Sequence, residues 1–268
     1  MDTTRACSTL LALLVLSAVS GYGQEASDSD LAKKTQNPVS DLISLPFQNN
    51  TNFDVGPGED TQNILNIQPV WPIALNDNWN LITRTIFPVI SQPGFLPGDD
   101  RTFGLGDTLF TAFFSPRNSG KLVWGVGPAL LLPTATDDVL GSDEWAIGPS
   151  VVVLTMPGKW VIGSLFSNIW SFAGSGPQDV NFFTWQYFVN YNLKKGLYLT
   201  SAPIITADWE ASSGNKWIIP FGGGIGKIFR IGKQAMNGQI SAYYNVETPE
   251  FGPDWQLRLQ LQFLFPKK

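Results

Sequence analysis

The stretch WQLRLQLQFLF, Trp255 to Phe265, decides between the folds open to this chain. Its odd positions, Trp255, Leu257, Leu259, Leu261, Phe263 and Phe265, are all apolar. Gln256, Arg258, Gln260 and Gln262 are polar, and only Leu264 breaks the even row. Side chains of a β-strand point alternately to opposite faces, so the segment has one apolar face and one wet face. A strand of about ten residues ending in an aromatic is what a membrane-spanning β-barrel needs to close on itself. A strand of a soluble sandwich alternates equally well, so this segment alone leaves both folds open.

Composition narrows the choice. At 268 residues the chain fits one large all-β domain. Charged residues are 15%, against about 25% in ordinary soluble proteins. Aromatics reach 13%, with ten tryptophans. A mean hydropathy of +0.01 is far too low for a helical membrane protein. Few charges, many aromatics and neutral hydropathy describe apolar residues interleaved with polar ones, as in a barrel facing lipid outside and water inside. The net charge of −5, without a basic run to grip phosphates, argues against a nucleic-acid partner.

The N-terminus reads as an address. Arg5 precedes an apolar run from Ala6 to Val19, and Ser20, Gly21, Tyr22 and Gly23 supply small residues before a cut at Gln24. A run of this length is too short to span a bilayer as a helix, so residues 1–23 are expected to be a secretory signal peptide. The single cysteine, Cys7, falls within that signal, leaving no disulfide in the mature chain. Residues 24–38 form a polar stretch without periodicity, open to two readings: a flexible periplasmic tail or a small plug in the barrel mouth. Residues 39–268 are assigned to the barrel.

From Pro38 onward about twelve extended segments follow one another, separated by turn signals. The connections after even-numbered segments are mostly short, as at Asn76-Asp77-Asn78. Those after odd-numbered ones are generally longer and rich in Gly, Pro and Asp, as in PGFLPGDD and PTATDDVLGSDE. Transmembrane barrels have short periplasmic turns and longer external loops, and an even strand count leaves both termini in the periplasm. A soluble sandwich has no reason to keep that alternation. Trp71, Trp79, Trp145, Trp160, Trp170, Trp209, Trp217 and Trp255 gather at segment ends, as two interfacial girdles would require. Trp160 and Trp170 are separated by about 23 Å along the membrane normal, given ~3.3 Å per residue and a ~45° tilt. The expected fold is an all-β, transmembrane, antiparallel up-and-down barrel of about twelve strands.

Three stretches also carry a family resemblance: PVSDLISLPFQNN (Pro38 to Asn50), NIQPVWPIALNDNWNLITRTIFPVI (Asn66 to Ile90) and GLGD (Gly104 to Asp107). They resemble bacterial outer-membrane barrels labelled "neuromedin U", which are similar to transporter-like barrels of the MetA-pathway phenol-degradation group. The resemblance implies an outer-membrane location in a Gram-negative cell and suggests transport. It brings no catalytic or ligand residues.

The chain contains no histidine. With Cys7 removed as well, a triad of the usual kind cannot be assembled, and the two best transition-metal ligands are missing. No enzyme activity, cofactor or metal is expected. Asp208 and Glu210, two apart on the ninth segment, could form a carboxylate pair or simply mark a solvated rim. The acid pairs Asp99-Asp100 and Asp137-Asp138 could bind calcium weakly, but such pairs more often form turns. Gly222 to Gly226, GGGIG, lacks the following helix of a phosphate cradle and is better read as relieving crowding in the lumen.

If the apolar rows face lipid, the lumen lining comprises Asn66, Gln68, Arg84, Asp107, Gln186, Asn190, Asp208, Glu210, Tyr243, Arg258, Gln260 and Gln262, with Phe110, Phe182 and Phe188 among them. Such a lining suits a narrow channel or transporter for small uncharged or weakly amphipathic solutes. The competing reading is a structural or adhesive barrel that acts through its external loops. The expected partners are membrane lipid and lipopolysaccharide, with a small-molecule solute in the transport reading.

Overall fold

The computed structural model describes residues 27–94 and 99–266. The expected signal peptide and residues 95–98 of the PGFLPGDD connection lie outside the described residues.

Twelve antiparallel strands close into a barrel. They are β1 (Ile43–Val55), β2 (Asp60–Ile67 and Val70–Ala74), β3 (Trp79–Gln92), β4 (Thr102–Leu105 and Thr108–Pro116), β5 (Leu122–Leu132) and β6 (Glu144–Thr155). There follow β7 (Trp160–Gly174), β8 (Asn181–Asn192), β9 (Leu197–Ser201 and Ile204–Asp208), β10 (Trp217–Ile231), β11 (Gln234–Glu247) and β12 (Trp255–Phe265). β2 and β9 are interrupted at Pro69 and Pro203, where the missing N–H cannot serve a ladder. Each strand pairs with its neighbours in the chain. The last pairs with the first in a register running from Ile43↔Phe265 to Phe53↔Trp255.

The connections differ between the two ends. At one end they are residues 75–78, 117–121, 156–159, 193–196 and 232–233; at the other, 56–59, 93–101, 133–143, 175–180, 209–216 and 248–254. The first link of the second set is as short as a turn, and the rest are longer. The first set marks the turn end of the barrel and the second its loop end.

Alternation sets the faces. On β12, Trp255, Leu259 and Leu261 are exposed on the outside, while Arg258, Gln262 and Leu264 are buried inside. Two aromatic belts ring the outside. Trp79 packs edge-on to Trp124 (5.8 Å) and Trp160 against Tyr191 (4.7 Å) at the turn end. Trp209 meets Trp217 (5.4 Å) and Tyr244 meets Trp255 (4.9 Å) at the loop end. The apolar outer face is interrupted where Asn49 and Asn63 exchange hydrogen bonds of 2.6 and 3.1 Å and Thr51 joins them, so that their amides are satisfied locally. Phe110 departs from expectation. It lies on the outward face with the exposed Phe114, because its neighbours Leu109 and Thr111 take the inward positions.

One helix stands apart from the sheet. α1 (Asp28–Thr35) is capped by the Ser27 hydroxyl, which accepts from the Asp30 N–H. It carries Asp28 and Asp30 in its first turn and Lys33 and Lys34 in its last, in accord with its dipole. Leu31 and Ala32 are buried against Tyr198, Ile228, Ala235 and Leu264, so the helix sits in the turn end of the barrel. No helix among the described residues is long and apolar enough to cross a membrane.

Candidate functional site

The inward side of β12 supplies the centre of the lumen. Arg258 is 3% exposed, and its guanidinium donates to Asn50 Oδ1 (3.0 Å), the Ala202 carbonyl (2.8 Å) and Gln256 Oε1 (2.9 Å). It also lies 4.8 Å from the ring of the buried Tyr243, whose π-face favours a cation. Arg84 on β3 shares this region, donating from Nη2 to Gln68 Oε1 (2.6 Å), and is close enough to Arg258 for their charges to repel. Neither arginine makes an ion pair among the described residues.

Two cavities are stacked along the barrel axis. Thr184 of β8 lines the loop-end cavity, and Gln186, the next inward position on that strand, lines the turn-end one. The loop-end cavity holds about 780 Å3. Its wall combines Leu109, Leu131, Ile169, Val180 and Phe182 with Asp107, Asp138, Asp143, Asp179 and Asp208. The acids also build their own surroundings. Asp107 accepts from the Thr134, Ala135 and Ser142 N–H groups and from the Ser142 hydroxyl (2.6–3.2 Å), pinning the 133–143 connection over the break in β4. Asp137 caps the single helical turn that follows it, accepting from the Val139 N–H.

The turn-end cavity holds about 170 Å3, and no carboxylate lines it. Arg84, Arg258 and a ring of Gln and Asn side chains form its wall, and residues 34–38, 40 and 42 of the N-terminal segment bound it toward the turn end. That segment is tied down at several points. Gln36 and Asn192 exchange hydrogen bonds of 3.0 Å, Lys33 donates to the Gly158 carbonyl (2.7 Å), and Asp28 faces Arg230 at 3.5 Å. Val39 inserts among Ile82, Phe113, Val152, Leu154, Val161, Leu165 and Phe188, inward side chains that form an apolar core below the cavity.

Of the residues singled out in the sequence, Gln68, Arg84, Gln186, Asn190, Arg258, Gln260 and Gln262 line the turn-end cavity, and Asp107 and Asp208 the loop-end one. Tyr243 lies beneath Arg258, and Asn66 stands beside the buried Gln48 on the inward side. Glu210 does not join them. β9 ends at Asp208, whose carboxylate accepts the Glu210 N–H (3.0 Å) and turns the chain, leaving Glu210 exposed in the 209–216 connection. Residues not singled out are Gln48, Asn50, Tyr198 and Asn237. Gln48 and Asn50 lie on the even positions of β1, where the same alternation would have found them. Tyr198 donates to Asn237 Oδ1 (2.8 Å), and Gly226 makes room for it, since a Cβ there would come within 2.1 Å of the phenol ring.

Residues 46–268 match the family model described as putative MetA-pathway of phenol degradation. No curated protein matches the sequence. Among solved structures, the chain is similar to an outer membrane channel from Pseudomonas putida F1, with 20% identity, a TM-score of 0.64 and coverage of 85% of this chain and 96% of that one. It is more distantly similar to the outer membrane phospholipase dimer of Salmonella typhi with bound calcium, with 11% identity, a TM-score of 0.45 and coverage of 90% and 99%. At 20% identity the likeness to the channel speaks to the fold alone. A closed barrel with an apolar outer face between two aromatic belts is the form taken by outer-membrane proteins.

Proposed function

The chain belongs to the family described as putative MetA-pathway of phenol degradation, and on that premise we propose that it is a narrow outer-membrane channel or transporter for small uncharged or weakly amphipathic solutes. The observation that carries this reading is the pair of stacked cavities, about 780 and 170 Å3, inside one closed wall. Their charges support the solute class. The loop-end cavity carries five aspartates and the turn-end cavity Arg84, Arg258 and Lys34, so a small ion of either sign meets like charge in one of them. A neutral solute meets neither barrier, and Leu109, Leu131, Ile169 and Phe182 offer apolar contact to a solute with a small hydrophobic body. In this reading the turn end and both termini face the periplasm and the long connections face outward among lipopolysaccharide. The likeness to the barrels labelled "neuromedin U" belongs to the same proposal. So does the absence of catalysis, for which the lack of any histidine is the argument.

The docked helix α1 favours the competing reading of a structural barrel, because it occupies the turn end. Swelling of proteoliposomes separates the two. A channel should admit a neutral polyol such as erythritol faster than salts of similar size. A structural barrel should give the swelling rate of protein-free liposomes with both.

A further inference from the structure

We propose that the turn-end cavity is a carboxylate-binding subsite with Arg84 and Arg258 as its cationic walls. The subsite does not rest on the channel reading.

A guanidinium stays protonated at any ordinary pH. Here two of them line one small cavity, close enough to repel, and every acceptor they use is neutral: Asn50, Gln256, Gln68 and the Ala202 carbonyl. Amide oxygens solvate a buried cation but do not neutralise it, and buried charges are costly unless paired. The ion pairs of the N-terminal segment, Lys34 with Asp41 and Asp28 with Arg230, leave both arginines untouched. An anion in the cavity would supply the missing countercharge.

Geometry names the anion. Arg258 is held by three hydrogen bonds and the Tyr243 ring, so it presents a fixed charge. Among the described residues Arg84 makes one hydrogen bond, through Nη2. Its other N–H groups meet no protein acceptor among the described residues and remain to donate charge-assisted hydrogen bonds to a carboxylate. Amides of Gln186 and Gln260 complete a wall rich in donors. The volume of about 170 Å3 exceeds what a halide needs. It is comparable to the cavity of about 150 Å3 that admits benzene. A small organic acid therefore fits this cavity as a molecule, with its head on the arginines.

The test is carboxylate-dependent stability of the purified full chain in detergent, read as the unfolding midpoint. Sodium acetate and sodium benzoate are titrated at constant ionic strength against sodium chloride, sodium phosphate and the neutral benzyl alcohol. Both carboxylates should raise the midpoint saturably, and Arg84→Gln should weaken half-saturation by about tenfold or more, the worth of a charge-assisted bond. Arg258→Lys, which keeps the charge and loses the hydrogen bonds that fix it, should weaken it less if folded; Arg84→Gln carries the test if it is not. The subsite is overturned if chloride or benzyl alcohol stabilises as well as the carboxylates, if phosphate alone does so, or if Arg84→Gln responds like the parent. Swelling assays fail or succeed independently. Carboxylate binding without solute entry would overturn the channel and keep the subsite, and entry without carboxylate-dependent stability would do the reverse.

Discussion

Leu264 interrupts the polar row of the closing strand because its inward neighbour is helix α1 rather than water: it packs against Leu31, Leu42 and Tyr198. The period of two in WQLRLQLQFLF made the two faces legible, and the exception marked a contact that no local pattern could identify. Asn49 and Asn63 are the converse, polar residues on the outer face that satisfy each other and so evade the penalty the pattern implies. Phe110 was misread because an aromatic fits either side of a barrel wall, and only pairing with Thr85 fixes which. Leu259 and Gln260 now make a matched pair of probes on one strand. Leu259→Arg places a charge in the outer face and should cost roughly 2–4 kcal/mol if it lies near the bilayer midplane. Gln260→Ala, half-buried in the lumen with one long hydrogen bond to Gln262, should change stability by less than about 1 kcal/mol. Urea unfolding in lipid vesicles reads both, and equal damage would mean that the faces are assigned wrongly. Arg258→Ala is a poorer control, since it strands three acceptors.

At the level of elements, strand order and boundaries were largely readable because each strand repeats the same alternation and ends in turn residues. The interruptions at Pro69 and Pro203 were hidden inside segments that read as continuous. Helix α1 was the hardest element to read. SDLAKKT has two apolar residues to bury, and nothing local says that the barrel provides the receiving surface. What could have been noticed is the matching surplus of inward apolar residues, Ile82, Val152, Leu154, Val161 and Leu264, in a lumen expected to be wet. Docking of this helix should be sensitive to one side chain. Leu31→Ala removes a fully buried side chain and should weaken the dock by about 2–3 kcal/mol, within the range for core leucines. Hydrogen exchange at residues 28–35 should accelerate while exchange in the strands is unchanged. Unaltered protection there would mean that polar anchors such as Gln36–Asn192 carry the dock instead.

For the whole molecule, alternating connection lengths, girdled tryptophans and low charge were enough to specify a closed barrel, because closure is how a sheet in lipid satisfies its edges. The cavities were not legible, since they depend on which side chains meet across the lumen. A closed barrel of this kind should migrate faster on a detergent gel before boiling than after and fractionate with outer membranes, whereas recovery as a soluble periplasmic monomer would contradict the fold. The seam between β1 and β12 has a kinetic consequence. Asn50 and Arg258, bonded across it, are 208 residues apart in the chain, so this pairing closes the longest loop in the molecule and comes late. Until then β1 and β12 are bare edges of an apolar sheet, each able to recruit a strand from another chain. The time between export and closure is thus the period of greatest aggregation risk, and escort by a chaperone matters most for the two strands that meet last.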